Sequence, residues 1–428
     1  MVQNLQFTSS IPERGIDTFE GYYSISNGKV HVFIPSRLGV RYSISLLSCI
    51  EQNRKIHCRF HNCRLISVGA DFDEYIAEAA FIGEAPKNEE EGFKAVRFLV
   101  PKDILPFFQP PWEMTKSASE LGSTMLRFRP QEERYKTILV DDNTAFTCKL
   151  GYTQSYSNIR YNLKSSVLFE LEYKVLADRS AIFQQIEAVA DFYSLFCHRP
   201  LGIERIQFVS KEEFLIGYYG DRLSLKEGEE YFGNNLVEET QVPDYLHHLP
   251  GWIMQYPKNK IVLHLLRDAS KLSDEQLRFI CYTRCLEVFH KENFMSASKP
   301  GSSYFEELHA FVIREGISDK TIDEFKTGKI TLLHRLLDLI RSVFELIKDD
   351  RLLFGTFTML NRAEEIVAKR NYLTHFSESK KRHAKDLEQL GYLNFQLALF
   401  IRILLLNQFS FNKKFIRSII GAEKRRMF

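Results

Sequence analysis

Apolar and polar residues alternate with a period of two along the N-terminal half of the chain, as in β-strands with one buried face. The clearest run covers residues 165–175, where every second side chain is apolar and Glu170, Glu172 and Lys174 lie between them. A shorter run at 29–34 ends at a proline. We therefore predict a β-rich region that extends to about residue 216.

One segment of this region has a helical period instead. Apolar residues recur three or four positions apart between Ile182 and Phe196, and Pro200 follows just beyond them. A second change comes after a stretch with three prolines that ends at Pro257, beyond which the helical period persists. That period predicts helices at about 273–294, 303–314 and 329–348, a helix leading into Arg370, and a helix at 384–408.

The two patterns predict an α+β multidomain protein, because 428 residues exceed what a single hydrophobic core usually serves. We place the boundary between residues 257 and 258. The expected organisation is a β-rich N-terminal domain at 1–257 followed by an all-α helical bundle at 258–428.

The charge pattern restricts how such a protein could contact nucleic acid. The formal net charge is only +2, so no global field attracts polyanions and any basic surface must be local. From Glu378 to residue 428 the sequence has eleven Lys and Arg residues but four Asp and Glu residues, which is such a local excess.

Several features indicate a cytoplasmic protein without a membrane partner. The first residues show no charged segment followed by an apolar one, so we expect no secretory signal. The most apolar run, 393–411, contains Asn, Gln and Arg and is typical of a buried amphipathic helix. The 7 cysteines, an odd number at irregular spacing, fit a reducing compartment.

The strongest candidate site is the segment 370–375, which reads Arg-Asn-Tyr-Leu-Thr-His. The guanidinium of Arg370 can hold a phosphate, and the imidazole of His375 can transfer protons near neutral pH. Spacing alone is weak support, because with 12 histidines an Arg-x4-His pair is expected about once by chance. Asn371 and the helical setting favour a site. The alternative is a helix-end arginine paired with a carboxylate beside a packed histidine.

A second polar pair lies on the first predicted helix of the bundle. Glu287 and His290 are three residues apart and therefore share a helix face. If that face lines the site, Glu287 could bond Arg370 or fix the tautomer of a neighbouring histidine; otherwise the two form a surface pair. Arg284 and His290 also have an arginine–histidine spacing, but Cys285 follows this arginine, and we do not assign Arg284 to the site.

The helical half resembles the ApeA-like HEPN domain of bacterial anti-phage abortive-infection proteins. Residues 370–375 are similar to its R-N-x3-H motif, and residues 286–290 to its L-E-x-x-H segment. The N-terminal half, through Phe-Glu-Gly-Tyr-Tyr at 19–23 and the helix exit at 195–202, looks like the β-rich sensor region that precedes HEPN in that family.

This resemblance implies a bundle that dimerises, so that two R-N-x3-H motifs face each other across a shared cleft. It also implies RNA cleavage without a metal or other cofactor: the ribose 2′-OH attacks the adjacent phosphate and leaves a 2′,3′-cyclic phosphate and a 5′-hydroxyl. In this scheme His375 would move protons, Arg370 would hold the phosphate, and Asn371 would orient the loop or the histidine. Glu287 and His290 would support the cleft.

A basic segment follows the motif. Lys380, Lys381, Arg382 and Lys385 begin five residues after His375 and are candidates for holding RNA phosphates. A solvated charged loop is the alternative.

The segment 57–63 contains two histidines and two cysteines, all possible zinc ligands. In a regular strand His57, His61 and Cys63 would point one way and Cys58 the other. We therefore favour a strand with interior cysteines and expect no metal site. The sequence also lacks a Gly-rich phosphate loop, a G-x-S-x-G elbow and an H-E-x-x-H motif, which argues against an ATPase, a serine hydrolase and a zincin.

These observations favour a cytoplasmic endoribonuclease of anti-phage defence. Its N-terminal domain would sense infection through a phage protein, and its HEPN domain would cleave host RNA, with tRNA as the expected target. The alternative is a non-catalytic HEPN dimer that binds nucleic acid or protein as a regulatory module.

Overall fold

The computed structural model describes residues 5–11, 16–26, 29–40, 43–52, 56–83, 92–100, 112–116, 124–128, 135–156, 161–196, 203, 205–211, 215–220, 246–294, 302–314, 330–348, 359–375 and 390–427. Two compact units are present: Met1–Cys197 with Leu201–Val242, and Pro243–Phe428 with His198–Pro200. The first is rich in strands and the second is helical, which confirms the predicted fold class.

The described part of the first unit has strands β1 to β15 and one long helix, α1. In chain order the strands are Leu5–Ile11, Ile16–Ser26, Lys29–Pro35, Ile44–Glu51, His57–Ser67, Phe72–Ala77, Ala79–Gly83, Phe93–Val100, Trp112–Lys116, Thr124–Phe128, Tyr135–Leu139, Thr144–Tyr156, Tyr161–Ala177, Arg205–Val209 and Leu215–Gly220. Helix α1 is Arg179–Ser194, close to the predicted segment, and the side chain of Asp178 caps its N-terminus.

Thirteen strands form one sheet in the order β11-β12-β13-β8-β14-β15-β7-β5-β4-β1-β2-β3-β6. Strand β5 also pairs with β6, which closes β5-β4-β1-β2-β3-β6 into an antiparallel barrel. Closure leaves these strands without an unpaired edge. The other strands of this sheet stay open, and α1 packs on them with Tyr193 stacked on Phe169 at 5.0 Å. Strands β9 and β10 pair with each other in a separate sheet.

The barrel core explains the glycine of the 19–23 segment. Phe7 on β1 lies opposite Gly21 on β2 and is fully buried. A β-carbon at Gly21 would lie 2.6 Å from the Phe7 ring and 2.6 Å from the Phe33 carbonyl oxygen. Only glycine fits here without displacement of its neighbours.

The alternating pattern of 165–175 is present in β13, with one difference. The predicted outward residue Glu170 is only 1% exposed, because Arg97 and Lys149 on the two neighbouring strands bond its carboxylate. Burial opposes ionisation of Glu170, but these two cations outweigh it and hold the pKa of the carboxyl below its usual value. Conversely Val175, predicted to face the core, is 68% exposed.

The segment 57–63 begins strand β5, as predicted. The predicted alternation, in which Cys58 and Cys63 point in opposite directions, is wrong at the end of this segment. Asn62 has φ of 50°, which interrupts the regular strand, and both Cys58 and Cys63 lie fully buried in the barrel core. Within the described residues no three His, Cys, Asp or Glu side chains are grouped so that they could hold a metal ion.

The described helices of the second unit are α2 Leu249–Lys271, α3 Glu275–Phe294, α4 Ser302–Arg314, α5 Leu332–Ile347, α6 Met359–His375, α7 Leu390–Gln408 and α8 Lys413–Met427. Asp274 caps helix α3, because its Oδ1 accepts from the backbone N–H groups of Gln276 and Leu277. The sequence pattern did not predict α8. Fully buried apolar side chains of the helical core include Trp252, Phe279, Leu286, Leu339, Ile401 and Leu405.

The units divide between Val242 and Pro243, whereas the predicted boundary, 257/258, falls inside α2. The prediction placed the boundary after the stretch with three prolines, where the helical period was judged to begin. Pro250 instead occupies the first turn, where no backbone donor is lost, and Pro257 lies within the helix.

Helix α7 is the one described helix that is long and apolar enough to cross a membrane. Of its most apolar window, 67% is buried inside the protein. Asn394 in this helix donates to the Glu275 carbonyl and carboxylate of α3 at 2.9 and 2.6 Å. These contacts are those of a core helix, as predicted for this segment.

Candidate active site

The last turn of α6 carries the 370–375 motif. Arg370 is partly exposed at 28%, and its Nη1 donates to Asn371 Oδ1 at 3.2 Å. Thr374 Oγ1 donates to the Arg370 carbonyl oxygen, one helical turn earlier, at 2.9 Å. Arginine and asparagine of the motif therefore form one hydrogen-bonded unit.

Glu287 on α3 contacts this unit across the bundle. Its Oε1 accepts from Arg370 Nη2 at 2.9 Å, although the residues are far apart in sequence. Its Oε2 accepts from Arg284 Nη1 at 2.8 Å. Glu287 is 14% exposed, so the bond to Arg370 is less screened by solvent than an ordinary surface pair.

Charged side chains of helix α6 form ion pairs along the helix itself. Glu365 binds Arg362 one turn earlier and Lys369 one turn later, the latter at 3.2 Å. Lys369 directly precedes Arg370 and is only 2% exposed. Arg362 also lines a cavity of about 30 Å³ between α6, α5 and α7, with Leu336 and Phe400 among its neighbours. A helix packed on two sides presents Arg370 from a fixed backbone.

His290 does not join this cluster. It is fully buried, its Nε2 bonds Asp338 Oδ2 on α5 at 2.9 Å, and its ring stacks on Phe294 at 5.5 Å. Arg341 completes this second network by donating to Asp338 Oδ1 at 2.8 Å. Burial opposes ionisation of Asp338, but the bonds from His290 and Arg341 outweigh it and hold the pKa of the carboxyl below its usual value.

His290 therefore connects α3 to α5 inside the core, and it is neither a surface residue nor part of a cleft. The i, i+3 spacing predicted that Glu287 and His290 share one face of α3. In the structure the two residues lie at opposite edges of that face. The face turns into the core at His290 and out to solvent at Glu287.

The structure locates the remaining predicted residues only in part. His375 is the last residue of α6, and only its backbone is described. Lys380, Lys381, Arg382 and Lys385 lie outside the described residues.

The sequence analysis did not assign Arg284 to the site and did not identify Asp338 as a functional residue. Each residue nevertheless has a sequence feature that could have identified it. Arg284 stands three residues before Glu287, which is the spacing of a helical ion pair. Asp338 is a lone acid within the apolar stripe of α5, and a buried acid requires a partner.

The assembled side chains are suited to binding an anion such as a phosphate. Arg370 has donors beyond the one that Glu287 uses, and it lies at a helix end accessible to solvent. Asn371 limits rotation of the guanidinium. Such a cation, held in place before a ligand arrives, can offset charge that develops on a phosphate during reaction.

Comparison with known proteins gave two matches, both to protein families. The model of the ApeA-like HEPN domain matches residues 280–415, and that of ApeA N-terminal domain 1 matches residues 27–235. Glu287 and the whole 370–375 motif lie inside the first match. Searches among curated proteins and among solved structures gave no match.

Proposed function

The chain is an ApeA-like HEPN anti-phage protein with an ApeA N-terminal domain, and we propose that it acts as an endoribonuclease effector. HEPN domains typically dimerise and act on RNA. In this proposal the N-terminal domain senses a phage protein, and the helical domain then cleaves host tRNA in the cytoplasm. The observation that carries it is the ion pair between Arg370 and Glu287, which holds the motif arginine at a solvent-accessible helix end.

The chemistry assigned to the site needs three functions. A base removes the proton from a ribose 2′-OH, an acid protonates the departing 5′ oxygen, and a cation offsets the charge on phosphorus. We assign proton transfer to His375 and phosphate binding to Arg370. Asn371 keeps the guanidinium in position through its bond of 3.2 Å. Glu287 positions Arg370 from the neighbouring helix.

The nucleophile belongs to the substrate in this mechanism. DNA lacks the 2′-OH and would remain intact. Each cut would leave a 2′,3′-cyclic phosphate and a 5′-hydroxyl, and EDTA would not inhibit. We further propose a homodimer in which the motifs of two copies share a cleft, so that each substrate meets two arginines and two histidines.

The test compares the purified full-length wild type with Arg370→Ala and His375→Ala on unfractionated tRNA in EDTA. Lys348→Ala is the control, because Lys348 is an exposed cation of the same unit that pairs with Glu345 and lies outside the basic C-terminal segment. We expect cleavage by the wild type and the control, and a loss of at least about 100-fold in both motif variants. Phosphorylation of the new 5′ ends by a polynucleotide kinase without prior phosphatase treatment would identify the 5′-hydroxyl.

A second candidate function is a non-catalytic HEPN dimer that binds RNA or protein. The ion pair of Arg370 with Glu287 is compatible with this candidate, because a purely structural arginine would be paired in the same way. Cleavage that is absent, that depends on added metal, or that persists equally in both motif variants would reject the proposed nuclease and favour this candidate.

A further inference from the structure

One carboxylate joins two arginines from two helices at the candidate site. Arg284 on α3 and Arg370 on α6 each bond one oxygen of Glu287, at 2.8 and 2.9 Å. Their guanidinium groups are therefore held side by side, although the residues are distant in sequence.

The charge balance of this cluster depends on Arg284. Glu287 and Arg370 alone are one anion and one cation, with no net charge to attract a phosphate. With Arg284 the cluster has two cations and one anion, so one positive charge remains for a ligand. Coulomb attraction for an approaching polyanion follows this net charge.

Exposure also distinguishes the two arginines. The Arg284 side chain is 63% exposed and Arg370 is 28% exposed, while the carboxylate between them is 14% exposed. Arg284 is thus the more accessible donor and lies outward from Arg370. A guanidinium has five N–H donors, and the bond to Glu287 uses one nitrogen of Arg284.

We infer that Arg284 is a second phosphate-binding residue of this site and holds a neighbouring phosphate of the RNA strand whose scissile phosphate Arg370 contacts. The inference rests on the proposed function for the identity of the substrate. Arg284 is not a catalytic residue here, because it contacts the strand beside the reacting atoms. Its effect should appear in RNA affinity and in its dependence on salt.

The competing explanation is an ordinary surface ion pair, which contributes at most about 1 kcal/mol to folding and nothing to binding. The chain offers a matched control for it. Lys348, the C-cap of α5, forms an i, i+3 pair at 2.8 Å with Glu345, and the two side chains are 41% and 64% exposed. Lys348→Ala therefore removes the same charge and the same kind of bond.

Binding is measured with the full-length His375→Ala protein and unfractionated tRNA in EDTA, at NaCl concentrations from about 50 to 300 mM. Adding Arg284→Ala is expected to weaken binding about tenfold. It should also lower the slope of log affinity against log salt by about 0.7, the value for one contact to single-stranded RNA. Lys348→Ala should change neither quantity, and Arg284→Lys should restore most of the salt slope.

Cleavage is measured in parallel with an intact motif. Arg284→Ala is expected to raise KM about tenfold and to leave kcat within about twofold, because uniform binding is removed and transition-state contacts are kept. An unchanged KM and salt slope, with cleavage by the wild type intact, would overturn the inference alone. Binding that depends on Arg284 without any cleavage by the wild type would support the inference and reject the nuclease. If the His375→Ala parent bound no RNA and the wild type did not cleave tRNA, both would fail.

Discussion

Glu287 is the residue on which the geometry of the candidate site most depends, and replacing it tests that geometry directly. Glu287→Gln keeps the size of the side chain but removes its charge and one of its two acceptor oxygens. The carboxylate now bonds Arg370 at 2.9 Å and Arg284 at 2.8 Å, so the amide can retain at most one of these bonds. Arg370 is then held by Asn371 within its own helix, at 3.2 Å.

The magnitude follows from the burial of the three groups. Hydrogen bonds to charged groups contribute about 1.5–3 kcal/mol when buried, and exposed ion pairs about 0.2–1 kcal/mol. Glu287 is 14% exposed and Arg370 is 28% exposed, so their bond belongs between these ranges, at about 1 to 1.5 kcal/mol. Arg284 is 63% exposed, so its bond to Glu287 should contribute an energy near the lower limit of the range for exposed ion pairs.

Two independent assays measure the effect of Glu287→Gln. In urea unfolding, the double-mutant cycle of Glu287→Gln and Arg370→Gln should give a coupling energy of about 1 kcal/mol. In tRNA cleavage, Glu287→Gln should lower kcat about tenfold, because 1.4 kcal/mol corresponds to a factor of ten and the loss falls on the positioning of Arg370. The control is Glu345→Gln, which removes an equivalent carboxylate from the Lys348 pair.

A coupling energy near zero would refute the contact between α3 and α6. A measurable coupling energy with kcat equal to that of the wild type would keep the contact but refute its role in positioning Arg370. A loss of activity that Glu345→Gln shares would point to general destabilisation and would also refute that role.

Two further predictions concern the cores of the two units. Asp338 has a folded-state pKa below its usual value, so its stabilisation is present above about pH 3.9, the ordinary value, and is lost as pH falls through the folded pKa. Asp338→Asn should therefore cost about 1.5–3 kcal/mol at pH 7 and should flatten the fall of the urea midpoint below about pH 4. An unchanged acid dependence would contradict this. Gly21→Ala should lower the stability of the β-rich unit by at least about 2 kcal/mol, because its methyl would lie 2.6 Å from the Phe7 ring, and an unchanged thermal midpoint by circular dichroism would contradict this.

The local pattern of apolar and polar residues predicted much of the fold. The alternation at 165–175 identified β13, and the helical period identified α1 and several of the bundle helices because each buries one face. The domain boundary was missed, since prolines that end helices in general are tolerated in the first turn, as at Pro250. Helix α8 was also missed.

The sequence by itself determined the order of the domains, the motif at 370–375 and the presence of an acid on α3. Tertiary structure alone decided what each polar group contacts, because partners in the bundle come from helices far apart in the chain. It bonded Glu287 to Arg370, which spacing had only suggested, and it buried His290 against Asp338. It also added Arg284 to the cluster, although the sequence analysis had not assigned this arginine to the site because Cys285 follows it. A helix face predicts which residues are neighbours along it, but the packing of other helices decides which margin of that face is buried.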